Sequence, residues 1–280
     1  MSKSRSLTTI TTAITLAALT ALSVSCSRKG NDSTNTRVFT SLADFSGGKI
    51  GSESGSVFTQ FVDRVIPNVE HRYYLTFDGI VDALRADAVD AVALDVPVAL
   101  FLAAHNKEFA VFPYVVSVDS YGFAVPKGSQ LCVDANEVLQ KFRETGVIDD
   151  AEMYWFAADD GKEREMPRLD HRPEFDGSAG TIRFGCENTL FPMSYASSEG
   201  NPLGFDIDII YRIAYELNMR VEVTAMPFRE LLPALLSGRL DMVGGSLTIT
   251  DERKEHVDFI GPYFEGGTAL VVKKSSLPQN

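Results

Sequence analysis

Val89–Leu94 reads VDAVAL and runs straight into Asp95-Val96-Pro97. A near-continuous apolar run of this length suits a strand buried on both faces, the situation of a parallel sheet. Parallel strands need crossover helices, and Val96–His105 reads as the next one. On the N-terminal side, Lys49-Ile50-Gly51 reads as a strand, Gly55-Ser56 as a tight turn, and Val57–Val65 as an amphipathic helix. Tyr73–Leu75 and Asp78–Arg85 continue the alternation as strand and helix. On the C-terminal side, Gly122–Val125 is a strand, and Val133–Thr145 is a helix stopped by Gly146.

Residues 157–180 (AADDGKEREMPRLDHRPEFDGSAG) are charged, carry Pro and Gly, and lack any period, which marks a linker. A second alternating block follows. Its strands are Thr181–Gly185, Arg220–Ala225 and Leu240–Gly244, and its helices Phe205–Leu217, Arg229–Leu236 and a short Thr250–Val257. The fold class is therefore α/β, with two lobes, each an open, mostly parallel sheet flanked by helices. Ligands of such sheets bind at the carboxyl ends of the strands.

Residues 1–25 begin with Lys3 and Arg5, continue into an apolar run from Ile14 to Leu22, and end in small residues. That is the layout of a signal peptide, with an apolar run too short to span a bilayer. Leu22-Ser23-Val24-Ser25-Cys26 resembles the lipobox of bacterial lipoproteins, which implies acylation of Cys26 and an anchor in the membrane. The polar residues 27–36 read as a flexible tether. Cys132 and Cys186 read as unpaired packing residues, with a bridge between them left open by an oxidising compartment.

With 38 acids against 26 Lys and Arg, the net charge is −12, and −14 once residues 1–25 are left out. Such a surface repels nucleic acid and keeps the protein soluble. No GxGxxG or Walker loop, GxSxG elbow or HExxH is present. His71, His105, His171 and His256 lack ligand spacing and read as surface residues. No metal, cofactor or catalytic residue is expected.

Gly204-Phe205-Asp206-Ile207-Asp208-Ile209 opens one helix of the second block, and Ser246-Leu247-Thr248-Ile249-Thr250-Asp251-Glu252-Arg253 follows one of its strands. With Phe228, Leu231–Leu235, Val257-Asp258-Phe259 and Pro262-Tyr263, these strings resemble the periplasmic amino-acid-binding proteins of ABC transporters, solute-binding family 3. Residues 181–273 resemble that family's first lobe. Residues 37–120 resemble its second lobe, through Leu42–Phe45, Gly48–Gly51, Gly55-Ser56, Val89–Ala91 and Asp95. Residues 121–156 resemble the return strand and helices, and 274–280 form a tail. The resemblance implies a two-lobed periplasmic-binding-protein-like clamshell (type II) with its lobes in permuted order. A linker of this length spans about 25 Å, enough to join the permuted ends. A truncated tandem of such proteins is the competing arrangement.

The same resemblance implies a site for an amino acid or similar small polar ligand. Arg253 would fork onto the carboxylate, Ser246 and Thr248 would add donors, Ser56 would contribute from a helix start on the other lobe, and Asp95 would accept from the ammonium. Phe228 aligns with a ligand-packing aromatic, and Leu190 stands where many members carry an aromatic. Read without the resemblance, Arg253 is a surface partner of Asp251 or Glu252, and Asp95 is a helix N-cap. The expected role is capture of solute for a membrane ABC permease. A ligand-sensing module is a second reading. A dehydratase on the same fold is a third, with Glu187 and Glu230 as its acids.

Overall fold

The computed structural model describes residues 37–157, 164–167 and 175–279. The leader, Cys26, the tether, His171 and much of the expected linker lie outside them.

The N-terminal lobe begins with a 3-10 turn, Leu42–Phe45, and runs β1 (Lys49–Glu53), α1 (Phe58–Val65), β2 (Glu70–Tyr74), α2 (Phe77–Arg85), β3 (Ala91–Asp95), α3 (Val96–His105) and β4 (Phe109–Ser117). The C-terminal lobe opens with β5 (Ser120–Pro126), α4 (Gln130–Thr145), α5 (Val147–Phe156) and β6 (Thr181–Cys186). The short strands β7 (Thr189–Leu190), β8 (Ser194–Ala196) and β9 (Pro202–Leu203) come next. Then follow α6 (Phe205–Glu216), β10 (Arg220–Ala225), α7 (Phe228–Leu236), β11 (Met242–Val243), α8 (Asp251–Lys254) and β12 (Val257–Glu265). The last strand, β13 (Thr268–Lys273), belongs to the other lobe.

Two five-stranded sheets form the two lobes, in the orders β2-β1-β3-β13-β4 and β10-β6-β11-β5-β12. β1 runs parallel to β2 and β3, and β6 runs parallel to β10 and β11. β13 and β5 enter their sheets antiparallel. Each lobe thus keeps a parallel half and is completed by strands from the crossover side. VDAVAL supplies most of β3, which is buried at all five positions because helices cover both faces: Ala91 and Ala93 pack with Phe61 and Val62 of α1, and Val92 and Leu94 with Leu84 of α2 and Val98 of α3.

The sequence grouping of 181–273 as one block differs from this arrangement. β13 sits between β3 and β4, and its Leu270 and Val272 pack with Phe45, Ile50, Phe61 and Phe112 in the N-terminal core. Each large apolar side chain buried there contributes about 1.5–3 kcal/mol. The strand after Val89 starts at Ala91, the Tyr73–Leu75 strand lies at Glu70–Tyr74, and Leu240–Gly244 contracts to Met242–Val243. The short helix ends at Lys254 rather than Val257, where the residues that follow pair with β5 as β12.

The chain crosses between lobes twice, at 117–120 and 265–268, and the two crossings lie side by side. Gly266 N donates to Asp119 O at 2.7 Å, and Ser120 Oγ reaches the Glu265 carboxylate at 3.0 Å. Gly267 holds φ +153°, and a Cβ there would stand 2.2 Å from Ser117 O, so only glycine lets the strands approach this closely.

Candidate functional site

The cleft between the lobes gathers every ligand residue expected from sequence. Ser56 and Asp95 line it from the N-terminal lobe. Leu190, Phe228, Ser246, Thr248 and Arg253 line it from the C-terminal lobe. Its empty space, counted out to the open mouth, is about 430 Å³.

Arg253 owes its place to a four-residue helix. Thr250 caps α8 by accepting from Arg253 N at 3.2 Å, and the turn swings the side chain inward, leaving it 8% exposed. Its guanidinium donates to Thr248 O at 2.8 Å and, across the cleft, to Gly55 O at 3.3 Å. Its carbon lies 5.7 Å from the Phe228 ring centroid. Burial lowers its pKa to about 10, opposed by Glu252 and Asp95. The surface ion pair in this helix is Lys254 with Asp251 instead, at 3.4 Å.

Asp95 precedes α3, yet its carboxylate makes no capping bond to that helix. It accepts instead from Tyr121 Oη at 2.6 Å, a bond between the lobes. Burial raises the Asp95 pKa to about 7, with Asp206 and Asp119 adding to the rise and the Tyr121 bond opposing it.

The loop from Gly244 to Thr250 is held from two sides. Ser246 N donates to Asp206 Oδ2 at 2.8 Å, Gly122 N donates to Leu247 O at 3.0 Å, and Ile249 N donates to Ser120 O at 2.8 Å. Ser246 itself takes a left-handed φ of +52°, which turns the loop toward the cleft. Its hydroxyl lies near Asp95 but has no hydrogen-bond partner. Ser56 Oγ donates to Glu53 O at 2.7 Å, so its proton is used within its own turn.

The GFDIDI string earns its residues here. Gly204 has φ +121°, and a Cβ would meet Met193 O at 2.3 Å. Asp206, fully buried, accepts from Tyr263 Oη and Ser246 N, both at 2.8 Å, and burial raises its pKa to about 7. Asp208 accepts from Arg212 Nε at 2.7 Å and Trp155 Nε1 at 3.0 Å, tying α5 to α6.

Sequence reasoning missed Glu53 as a lining residue, along with Phe77, Leu94 and Val98. Glu53 ends β1 and is 6% exposed; no periodicity sets it apart from a polar strand end. Glu187, also 6% exposed, accepts from Thr189 Oγ1 at 2.8 Å, and after burial its carboxyl adds to the rise of the Glu53 pKa to about 10. Glu230, expected near the cleft, is not among its lining residues; it sits half-exposed beside Arg229 at 3.5 Å. Cys132 and Cys186 are both free thiols, and burial pushes Cys186 up to about 12. His71 pairs with Asp63 at 2.7 Å outside the cleft. Among the described residues, no cluster of three or more His, Cys, Asp or Glu is arranged to hold a metal ion.

Residues 182–278 match the family model described as bacterial extracellular solute-binding proteins, family 3. Over these residues the chain is similar to that family. It is 34% identical over 95 residues to the L-arginine-binding protein of Pseudomonas aeruginosa, covering 34% of this chain and 37% of that one. It is 40% identical over 83 residues to the probable histidine-binding protein of Neisseria gonorrhoeae, covering 30% and 31%. The chain thus spans about a third of the length of these family 3 relatives. Among solved structures, the arginine-bound form of domain 1 from TmArgBP is 32% identical, covering 35% of this chain and 83% of that one, at a TM-score of 0.29. An ancestral arginine-binding protein bound to arginine is 42% identical, covering 30% and 36%, at 0.28. No helix among the described residues is long and apolar enough to cross a membrane.

Proposed function

We propose that this chain is an extracytoplasmic binding protein that captures an amino acid or similar small polar ligand between its lobes, as one clamshell in permuted order. The ligand carboxylate takes the place of Gly55 O on the Arg253 fork, and Asp95 receives the ammonium. Ser246 and Thr248 supply donors, and Phe228 and Leu190 enclose the side chain. The observation that carries the reading is Arg253: a buried guanidinium facing the opposite lobe, whose hydrogen bonds among the described residues go to the backbone carbonyls of Thr248 and Gly55. A cation so placed is matched by a carboxylate ligand better than by two amide oxygens.

Capture serves delivery to a membrane ABC permease, from a chain exported by residues 1–25 and anchored by acylated Cys26. The test is a thermal-shift screen of the purified protein against the common amino acids. A true ligand at a hundred times its Kd stabilises by about 2.7 kcal/mol. A flat screen, with the protein folded, contradicts the proposal. Mass spectrometry of the N-terminal peptide from membranes checks the anchor: a lipid adduct on Cys26 is expected, and an unmodified or missing Cys26 contradicts it.

A further inference from the structure

The lobes also meet beside the residues that line the cleft. Val98 of α3 and Leu190 of β7 line it from opposite lobes. Phe101 stands three residues after Val98, on the same face of α3, and Phe191 follows Leu190 directly. Their rings stack from lobe to lobe, with centroids 3.7 Å apart and planes at 29°. Both residues are half-buried, and neither is among the lining residues. Each ring is backed by a second one from its own lobe: His105 lies 3.9 Å from Phe101, and Tyr195 lies 4.5 Å from Phe191. His105, one turn further along α3, is held there as its Nδ1 donates to Phe101 O at 2.9 Å.

The polar bonds between the lobes differ from this contact. Gln60 Nε2 donates to Glu252 Oε2 at 3.2 Å, but both side chains are exposed, and such a bond competes with water. Arg253 donates to Gly55 O, a bond that gives way to the ligand carboxylate in the capture proposed above. The Tyr121–Asp95 bond lies beside the crossings, since Asp95 pairs with Thr268 at the start of β13. Two lobes in one chain move against each other unless the contact between them is large and apolar. A stacked aromatic pair is worth a factor of about 2–12 in an equilibrium constant beyond the area it buries. Resting on the reading that the cleft captures an amino acid, we propose that Phe101 and Phe191 are positioning residues, an aromatic clasp that favours the closed arrangement of the lobes and so sets how long the cleft retains its ligand. Because the clasp lies outside the lining residues, it acts by the same factor on every ligand that closes the cleft.

The test joins calorimetric titration and stopped-flow dissociation of the full chain, with the common L-amino acids as probes, to small-angle X-ray scattering without them. Phe101→Ala and Phe191→Ala, shown to fold by melting curves, should each weaken every amino acid that wild type binds by one shared factor of about 2–12, carried by faster dissociation. The double variant should lose no more than the larger single loss, because either change removes the whole stack. Phe191→Tyr, which keeps the ring, should bind as wild type does. In scattering, both Ala variants should show a larger radius of gyration than wild type. Unchanged affinity and dissociation in the folded Ala variants, or losses that multiply in the double variant, overturn the clasp and leave amino-acid capture intact. If wild type binds no amino acid, the capture reading fails, and scattering alone decides the clasp: a larger radius in the Ala variants upholds it as a contact between the lobes, and an unchanged radius overturns it.

Discussion

Two buried carboxylates show opposite uses of the same chemistry. Asp208, in the interior of the C-terminal lobe, is fully buried and accepts from Arg212 and Trp155, both supplied by the chain itself. Glu53, at the cleft, is almost as deeply buried, has no donor on Oε1, and faces another acid. Asp95 lies between these extremes, with one bond from Tyr121. Burying a charge is costly unless it is paired. The Asp208 arrangement offsets that cost within the fold and serves as a structural tie. The Glu53 carboxyl, its pKa raised to about 10 by burial, meets that cost by keeping its proton rather than by finding a cationic partner in the chain.

Substitutions on the two sides of this contrast should separate cleanly. The largest effect belongs to Asp208→Ala, which strands Arg212 and the Trp155 indole. Urea unfolding should show a loss of about 3–5 kcal/mol. Arg253→Ala should instead cost about 2–5 kcal/mol of ligand binding by calorimetry, with a smaller change in unfolding free energy than Asp208→Ala gives. A large unfolding change in Arg253→Ala would erase the distinction between the two sites.

The pH dependence sharpens it further. Glu53 has a folded pKa of about 10, above its unfolded value of 4.5, so its contribution to stability is fully present below pH 4.5 and is lost as pH rises toward 10. Between pH 7 and 9, where Asp95 and Asp206, each near 7, are largely ionised, unliganded wild type should lose up to about 1 kcal/mol per pH unit from Glu53. Chemical unfolding of Glu53→Gln across that window should show a flatter slope. The smallest effect is expected from Tyr121→Phe, which removes the hydroxyl bonded to Asp95 at a cost of about 1 kcal/mol. Since that bond holds the Asp95 pKa down, carboxyl NMR should find it raised further in the variant.

Much of the site was legible through the family resemblance that its strings carry; read alone, Arg253 is a surface partner of Asp251 or Glu252 and Asp95 a helix N-cap. Arg253 and Thr248 lie in a capped turn, Ser246 in the glycine loop before it, and Asp95 at the end of an apolar strand. Their convergence on one cleft follows from the rule that parallel strands present their carboxyl ends together. Glu53 was not legible, since its importance comes from Glu187, 134 positions further on and in the other lobe. The role of Asp206 was hidden for the same reason: its partners, Ser246 and Tyr263, are brought to it by β11 and β12. Among the elements, β4 escaped because an edge strand with burial scattered along Phe109–Ser117 has no clean alternation. β13 was grouped with its sequence neighbours, whereas its register with β3 and β4 is a long-range choice that local pattern cannot express.

The most direct test of the account is a titration of the full chain with the ligand found by screening, repeated on Arg253→Ala and Asp95→Asn, one variant from each lobe. Affinity lost by at least about tenfold in both, with both variants folded, is the result expected of a single site shared by the two lobes. Wild-type affinity retained in either folded variant would contradict it.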